Sequence, residues 1–454
     1  MAMQSINPAT GEEVKSFDAW DENRIHSTLQ AVADATPGWQ QTSYAERARY
    51  LRAAATVLRD HIDHYSGIIT LEMGKPITEA RTEIEKCASV CDYYADHGED
   101  FLKDEPLASD AGKSYVAHLP LGTVLAVMPW NFPFWQVFRF AAPGLMAGNT
   151  GVLKHASNVP QCALAIEEVF NKAGFPDNVF RTLMISAAQT RAVIEDARVH
   201  AVTLTGSEPA GRQVAATAGA NLKKTVLELG GSDAFVVLKD ADLELAATAG
   251  VQSRFLNAGQ SCIAAKRFIL APEIADDFLA LFKAKVIALK RGDPTDEATR
   301  IGPMARADLR DELHEQVTDT IAQGAVAALG CEIPEGPGSY YAPSILDQVQ
   351  PGMLAYEQEL FGPVAIVIRA RDEADALRIA NDNRYGLGGS VWTEDSARGE
   401  AFARQVQSGA TFVNGMVKSD PRLPFGGIKA SGYGRELAAH GIKEFTNTKT
   451  LWIR

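Results

Sequence analysis

The fold is decided by LGTVLAVM at residues 121–128, PWNFP at 129–133 and FWQVFRFAAPGLMA at 134–147. The first segment is almost entirely aliphatic, which is typical of a strand covered on both faces. The third segment is long and apolar enough for a buried helix. A buried strand, a loop and a helix in this order predict the opening unit of a parallel sheet.

The same alternation continues along the chain. Downstream strands are predicted at 151–154, 179–185, 200–204 and 224–229, separated by helices such as 160–173. After Gly230 and Gly231 the rhythm restarts, with strands at 234–238, 266–270, 364–368 and 411–414 and helices at 242–255, 273–290 and 372–382. Residues 22–105 have helical periodicity. We therefore predict an α/β fold with two Rossmann-like parallel-sheet domains.

Charge and length exclude several classes of protein. The 454 residues include 44 Lys and Arg against 57 Asp and Glu, for a net charge of −13. This acidic balance argues against a nucleic-acid partner, because that affinity depends on basic residues. No apolar stretch approaches the roughly 20 residues of a membrane helix, so no membrane partner is expected.

Cysteine and histidine usage points to a protein without disulfides or a metal site. The five cysteines are sparse and odd in number, and residues 1–15 lack the apolar core of a secretory signal. We therefore expect a cytoplasmic protein with reduced thiols. The nine histidines show no spacing with Cys or acids that indicates a metal site.

Two residues have the chemistry of an acyl-transfer site. Cys262 follows the small polar loop 257–261 (NAGQS), where backbone N–H groups can lower a thiol pKa. A lone cysteine is also common as a packing residue. Glu228 ends an apolar strand, where burial raises a carboxyl pKa toward that of a general base. A strand-edge glutamate that faces solvent is the alternative for Glu228.

Two loops at strand ends are candidates for the same site. Two prolines brace the loop 129–133 where open α/β sheets bind ligands, and the Asn131 amide can donate to an oxyanion. Residues 205–211 (TGSEPAG) connect a strand to a helix. There Gly206 allows a phosphate to approach the backbone, and Ser207 can cap the helix and donate a hydrogen bond. The spacing is not G-x-G-x-x-G, so either loop is also compatible with a plain turn.

Taken in order, these four elements resemble the aldehyde dehydrogenase superfamily. The resemblance extends from NPATG at 7–11 to KT at 449–450 and includes LK at 153–154, ELFGP at 359–363 and PFGGIKASG at 424–432. Within the superfamily, FWQVFRF at 134–140, KHASNVP at 154–160 and NGMVKSD at 414–420 resemble short bacterial and cyanobacterial succinate-semialdehyde dehydrogenases.

The resemblance implies a role for each candidate. Cys262 would attack the aldehyde and carry a thiohemiacetal and then a thioester, Asn131 would hold the oxyanion, and Glu228 would activate the hydrolytic water. The implied cofactor-binding residues are Trp130, Lys154, Ser157, Gly206, Ser207, Glu359 and Phe361. Glu436 matches a position associated with proton transfer to bulk water.

The expected cofactor is NADP, with NAD possible. Many NAD-preferring relatives carry a glutamate three or four residues after the motif lysine, whereas this chain has Asn158 in that place. A carboxylate there would repel a 2′-phosphate, whereas an amide does not, and Ser157 can donate to one.

The resemblance also implies an aldehyde with a distal carboxylate, namely succinate semialdehyde. Arg139 offers a planar fork for that carboxylate, Trp135 can form a wall beside it and Ser419 can add a hydroxyl donor. The alternative for Arg139 is an ion pair with an acid of another segment. Oxidation of another aldehyde such as glutarate semialdehyde, and a catalytically silent homologue, remain alternatives for the whole chain.

The predicted domain organisation has three parts. Residues 1–112 and 121–227 form the cofactor-binding domain, and 228–430 the catalytic domain. Residues 113–120 and 445–454 alternate polar and apolar side chains, as exposed strands do. Unpaired strand edges invite pairing with another chain, so we expect a homodimer or a homotetramer.

Overall fold

The computed structural model of the protein describes residues 3–454. The N-terminal elements are β1 (Met3–Ile6), β2 (Glu13–Phe17), α1 (Glu22–Gln40), α2 (Tyr44–Asp60), α3 (Ile62–Met73), α4 (Ile77–Leu102), β3 (Glu105–Pro106) and β4 (Lys113–Pro120). They are followed by β5 (Thr123–Met128), α5 (Trp135–Met146), β6 (Thr150–His155), α6 (Pro160–Lys172), β7 (Phe180–Thr182), α7 (Ala187–Glu195), β8 (Val199–Thr205), α8 (Glu208–Ala220) and β9 (Lys224–Glu228).

The second half repeats the alternation with more irregular connections. Its elements are β10 (Asp233–Val237), α9 (Leu243–Phe255), β11 (Ala265–Leu270), α10 (Ala275–Ile287), α11 (Ala307–Ala322), β12 (Val326–Leu329), β13 (Ser344–Asp347), α12 (Leu354–Glu357), β14 (Val364–Arg369), α13 (Glu373–Asn381), β15 (Tyr385–Gly386) and β16 (Gly388–Trp392). The chain ends with α14 (Ser396–Ala403), β17 (Ala410–Val413), β18 (Ile428–Lys429), β19 (Gly432–Tyr433), α15 (Ala438–Glu444) and β20 (Thr446–Ile453).

The first sheet has the strand order β19-β9-β8-β5-β6-β7, and β5 to β9 run parallel. Alternate side chains of its strands face opposite layers of helices. Ala126 packs toward the helices α2 to α6, whereas Leu125 packs toward α1, α7 and α8. The chain leaves β5 toward β6 on one side and returns to β8 on the other, so a topological switch point lies between β5 and β8.

The second sheet has the order β12-β13-β14-β11-β10-β16-β17, with β12 alone antiparallel to its neighbour. Because β11 and β14 run parallel, the residues just before them lie together at the end of the sheet where its parallel strands begin. A third, three-stranded sheet has the order β20-β4-β3. These sheets confirm the predicted α/β fold with two parallel sheets and a small separate β element. Within residues 3–454, no helix combines the length and apolar character needed to cross a membrane.

The structure refines several sequence-based boundaries. Glu228 is the last residue of β9, and the first strand of the second sheet begins at Asp233. The strand predicted over 179–185 contains three residues, and β16 was missed because it starts with two glycines, which strands disfavour. The chain also returns to the first sheet through β19, a connection that the domain assignment does not include.

Candidate active site

The facing edges of the two parallel sheets enclose a cleft of about 610 Å³. The loops that follow β5 and β8 enter it from the first sheet, and the segments that precede β11 and β14 enter it from the second. Among the lining residues are Trp130, Asn131, Gly206, Ser207, Cys262, Glu359 and Phe361. The cleft therefore lies outside the carboxyl ends of parallel strands at a switch point, where open α/β sheets bind ligands.

Cys262 stands at the end of a tightly folded loop. Helix α9 ends at Phe255, and Asn257, Ala258 and Gly259 then all have left-handed φ angles of 56°, 50° and 72°. A Cβ on Gly259 would overlap the carbonyl group of Gly362, so this position requires glycine. The strained backbone is over-determined by its surroundings, as is common at functional sites.

Hydrogen bonds connect this loop to the loop that carries Asn131. The Asn131 side-chain nitrogen donates to the Gln260 carbonyl at 3.1 Å, and the Asn257 side chain donates to the Asn131 carbonyl at 2.7 Å. The Asn257 backbone N–H donates to Glu79 at 2.8 Å. These bonds position the Asn131 amide next to the cysteine loop, as an oxyanion donor requires.

The thiol of Cys262 lies on the shared wall of the large cleft and a second, smaller cavity. Burial raises its pKa to about 11, although Arg139 and Lys266 act to lower it. This result corrects the expectation that the loop lowers the thiol pKa, because desolvation of the thiolate outweighs the nearby positive charges. Lys266 donates to the Cys262 carbonyl at 2.8 Å and so orients the backbone of the nucleophile.

Glu228 is buried at the end of β9, with 2% of its surface exposed. Neither carboxyl oxygen has a hydrogen-bond partner among residues 3–454. Burial raises its pKa well above the usual range, and the nearby carboxyl of Glu436 adds to that effect, whereas Arg139 opposes it. Burial and the Glu436 carboxyl therefore favour the neutral form of Glu228, whereas the Arg139 guanidinium favours its carboxylate.

The turn after β8 leaves polar groups at the N-terminus of α8. Ser207 occupies the N-cap position with an extended backbone, but its hydroxyl makes no capping hydrogen bond, contrary to the expectation. The Gly206 N–H donates to the Glu228 carbonyl at 3.0 Å, which connects the ends of β8 and β9. The free hydroxyl and the helix N-terminus suit an anionic group such as a phosphate.

The cleft also contains an aromatic pair and a carboxylate. The rings of Trp130 and Phe361 meet edge to face, with their centroids 5.8 Å apart. Glu359 forms an ion pair with Lys266 at 3.0 Å and accepts a hydrogen bond from the Gly231 N–H at 3.2 Å. These predicted cofactor residues are thus brought together around one cleft.

Lys154 lies in the neighbouring strand β6, and Ser157 and Asn158 follow that strand. None of the three lines the large cleft. The buried His155 ring hydrogen-bonds the Pro133 carbonyl at 2.9 Å, which ties this segment to the Asn131 loop. Burial lowers the His155 pKa to about 4, so the ring is neutral. Both polar atoms of the Asn158 side chain are buried without a partner among residues 3–454.

The second cavity, of about 150 Å³, contains the predicted substrate residues. Trp135, Arg139 and Ser419 all line it together with Cys262. The indole N–H of Trp135 donates to the Ser419 hydroxyl at 3.1 Å. A small molecule in this cavity can therefore lie near Cys262 and near these polar groups.

The Arg139 guanidinium is not the free fork that was expected. It is 2% exposed, forms an ion pair with the buried Glu436 and lies 3.3 Å from the Thr205 hydroxyl. The charge of Arg139 is therefore balanced inside the protein. Such an ion pair, with an acid of another segment, is the alternative that the sequence left open for this residue.

Sequence reasoning missed the charged face of helix α4. Glu79, Glu83 and Lys86 are spaced by four and three residues, so they share one helix face. Glu83 accepts hydrogen bonds from the Phe134 and Trp135 N–H groups at 2.9 and 3.0 Å. The sequence signal for this face was the helical spacing of its three charged residues, which alternate with residues that are buried in the structure.

No group of three or more metal-ligating side chains is found in the part of the chain that begins at residue 3.

Comparison with known proteins gave consistent matches over the full length. The sequence model described as the aldehyde dehydrogenase family matches residues 1–451. A Synechocystis protein named as a probable NADP(+) succinate-semialdehyde dehydrogenase is 50% identical over 453 residues, with 100% of both chains covered. An NADP(+) succinate-semialdehyde dehydrogenase of Mycobacterium tuberculosis is 49% identical over 458 residues, again with 100% of both covered. The solved structure of a succinic semialdehyde dehydrogenase from Streptococcus pyogenes in complex with NADP+ has a TM-score of 0.98, 39% identity and 100% coverage of both chains.

Proposed function

The chain belongs to the aldehyde dehydrogenase family, and from that premise we propose that it oxidises succinate semialdehyde to succinate with NADP+. The observation that carries this proposal is the position of Cys262, at the junction of a large cleft and a small cavity. The cleft offers a helix N-terminus and an aromatic pair. The small cavity offers hydrogen-bond donors and positive charge for a carboxylate tail.

The residues of the site suit a two-step reaction. The Cys262 sulfur, after losing its proton, attacks the aldehyde carbon, and the Asn131 amide and the Cys262 N–H stabilise the oxyanion. NADP+, when bound in the cleft, supplies the acceptor for the hydride that leaves this carbon. Glu228, once deprotonated and turned toward the thiol, takes a proton from water, which attacks the resulting thioester. The products are succinate and the restored thiol.

The residues on either side of the switch point fit a dinucleotide with a 2′-phosphate. Ser207 and the N-terminus of α8 suit the pyrophosphate, whereas Trp130, Glu359 and Phe361 suit the nicotinamide end. Lys154 and Ser157 provide donors near the ribose, and Asn158 presents an uncharged amide with no internal partner. NADP+ is therefore the proposed cofactor, and a neutral residue at 158 also tolerates NAD+.

The small cavity limits the size of the aldehyde. A volume of about 150 Å³ suits a four-carbon semialdehyde, with Trp135 and Ser419 beside its tail. Glutarate semialdehyde, one methylene longer, is the second candidate substrate. A catalytically silent homologue is disfavoured because the thiol, the amide and the buried acid are all present in the site.

We also propose that the protein forms a homodimer or homotetramer in the cytoplasm. Strand β20 pairs with β4 on one side only, so its other edge is available to a second copy. All five cysteines are free, which suits a reducing compartment.

A kinetic panel tests the proposed function. Succinate semialdehyde, glutarate semialdehyde and the uncharged butanal are each assayed with NADP+ and NAD+. The proposal expects the highest kcat/KM for succinate semialdehyde with NADP+. A higher kcat/KM for butanal would contradict the substrate, and a higher value with NAD+ would contradict the cofactor.

A further inference from the structure

Lys86 extends from helix α4 into the small cavity that contains the Cys262 thiol. Its ammonium donates to the Ser419 hydroxyl at 2.7 Å and lies 4.1 Å from the centre of the Trp135 ring. Both neighbours are neutral. Lys86 therefore brings a positive charge to the part of the cavity that is formed by two predicted substrate residues.

The acids nearest to this cavity are already paired with other cations. Glu83 forms an ion pair with Lys75, and Glu436 forms one with Arg139. Asp420, next to Ser419 in the sequence, forms an ion pair with Arg422. Among residues 3–454, no carboxylate forms an ion pair with Lys86.

An unmatched ammonium in a cavity is a costly arrangement. Its contact with Trp135 and the hydrogen bond to Ser419 offset only part of the lost hydration. Burial, with the positive charge of Arg139 as a second cause, lowers the pKa of Lys86 to about 8. A carboxylate bound between Lys86 and Ser419 would supply the missing negative charge.

We propose that Lys86 binds the distal carboxylate of the substrate, with Ser419 as its partner donor. The inference rests on the proposed function, which supplies a substrate with such a carboxylate. Arg139 lines the same cavity and forms an ion pair with Glu436, so its own charge is already partly balanced within the protein. Helix α4 thus contributes specificity as well as support for the active-site loops.

The test compares succinate semialdehyde with butanal, which has the same number of carbons and no charge. The variants are Lys86→Met, which removes the charge but keeps the length, and Lys86→Arg, which keeps the charge. Lys103→Met is the control, because Lys103 lies just beyond α4 with 70% of its side chain exposed. KM and kcat are measured for both aldehydes at saturating NADP+.

The proposal expects Lys86→Met to lower kcat/KM for succinate semialdehyde about ten- to a hundredfold relative to butanal, mainly by raising KM. Lys86→Arg should recover part of the loss, and Lys103→Met should match the wild type. An unchanged ratio of the two efficiencies in Lys86→Met, or an equal loss on both aldehydes, would overturn the role of Lys86. A wild type that does not prefer succinate semialdehyde would instead overturn the proposed function. If Lys86→Met does not fold, Lys86→Gln gives the same comparison.

Discussion

The thiol of Cys262 is protonated at neutral pH, because burial raises its pKa to about 11. The thiolate, rather than the thiol, is the nucleophile. Burial likewise raises the pKa of Glu228 well above its usual range. In the proposed mechanism the Cys262 thiol and the Glu228 carboxyl must therefore each lose a proton before they act.

The raised pKa of Glu228 predicts a pH dependence. A base must be deprotonated to act, so deacylation is lost as the pH falls through this raised pKa. Glu436→Gln removes a negative neighbour and leaves Arg139 unpaired, and both changes lower the Glu228 pKa. We expect the acid limb of the kcat–pH profile to move to lower pH in this variant. An unmoved limb, or one moved to higher pH, would show that Glu436 does not control the base.

Asn158 is expected to control cofactor choice. Asn158→Glu would place a carboxylate where a 2′-phosphate is expected, and like charges in a partly enclosed site repel strongly. We expect the ratio of kcat/KM for NADP+ to that for NAD+ to fall at least about tenfold. Asn158→Gln, which adds length without charge, is the control. A ratio unaffected by the glutamate would mean that this side chain does not face the ribose.

At the scale of elements, the turn between α9 and β11 determines where the thiol lies. Gly259 has a φ of 72° and faces the carbonyl of Gly362. Gly259→Ala combines a left-handed alanine, which costs roughly 1–2 kcal/mol, with an overlap against backbone. We expect a lower Tm and a loss of kcat, because the Cys262 loop must shift.

Gly174→Ala provides the matched control for that variant. Gly174 has a similar φ of 76°, but nothing lies within 4 Å of the position that a Cβ would occupy. This variant should lose stability through the backbone conformation alone and keep its kcat. Equal kcat values in the two variants would contradict the importance of the Gly259 contact for the thiol.

Helix α4 is the second element that the site depends on. Its side chains reach both active-site loops, since Glu79 binds the Asn257 N–H and Glu83 binds the first N–H groups of α5. The same helix face carries Lys86 into the small cavity. One helix of the N-terminal region therefore supports the nucleophile loop and the Asn131 loop together.

At the scale of the whole molecule, the small third sheet exposes apolar side chains. Trp452 on β20 is 50% exposed, and Leu119 on β4 is 41% exposed. We expect Trp452→Lys to shift the protein toward the monomer in sedimentation velocity experiments at micromolar concentration. Leu222→Lys, at a leucine that is 96% exposed outside this sheet, should leave the distribution unchanged. A wild type that sediments as a monomer would contradict the proposed assembly.

The fold was largely predictable because its signals are local. The strand at β5, the helix after it and the restart after Gly230 follow from runs of apolar residues and from glycines. Likewise, Cys262 and Asn131 stand in loops that short sequence patterns identify. Where a strand has little apolar character, as in the glycine-rich β16, local patterns failed.

The charges inside the site could not be predicted, because they depend on residues distant in sequence. Arg139 was expected to be free, but Glu436 reaches it only after the chain returns to the first sheet through β19. Similarly, Lys86 occurs among ordinary helix-surface charges and is identified as a cavity residue only by its contact with Ser419. The pKa of Cys262 depends on burial, which no local motif records.

The most direct test of the central claim is to trap the covalent intermediate. Glu228→Gln keeps the size of the side chain but cannot accept a proton from water, so the thioester should accumulate. The variant is mixed with succinate semialdehyde and NADP+, quenched in acid and digested, and the peptide that contains Cys262 is analysed by mass spectrometry. We expect a burst of NADPH close to one per active site and a succinyl group on Cys262. The control is the double variant with Glu228→Gln and Cys262→Ala, which should show neither. An unmodified Cys262 peptide after NADPH has formed, or a succinyl group on another cysteine, would contradict the account.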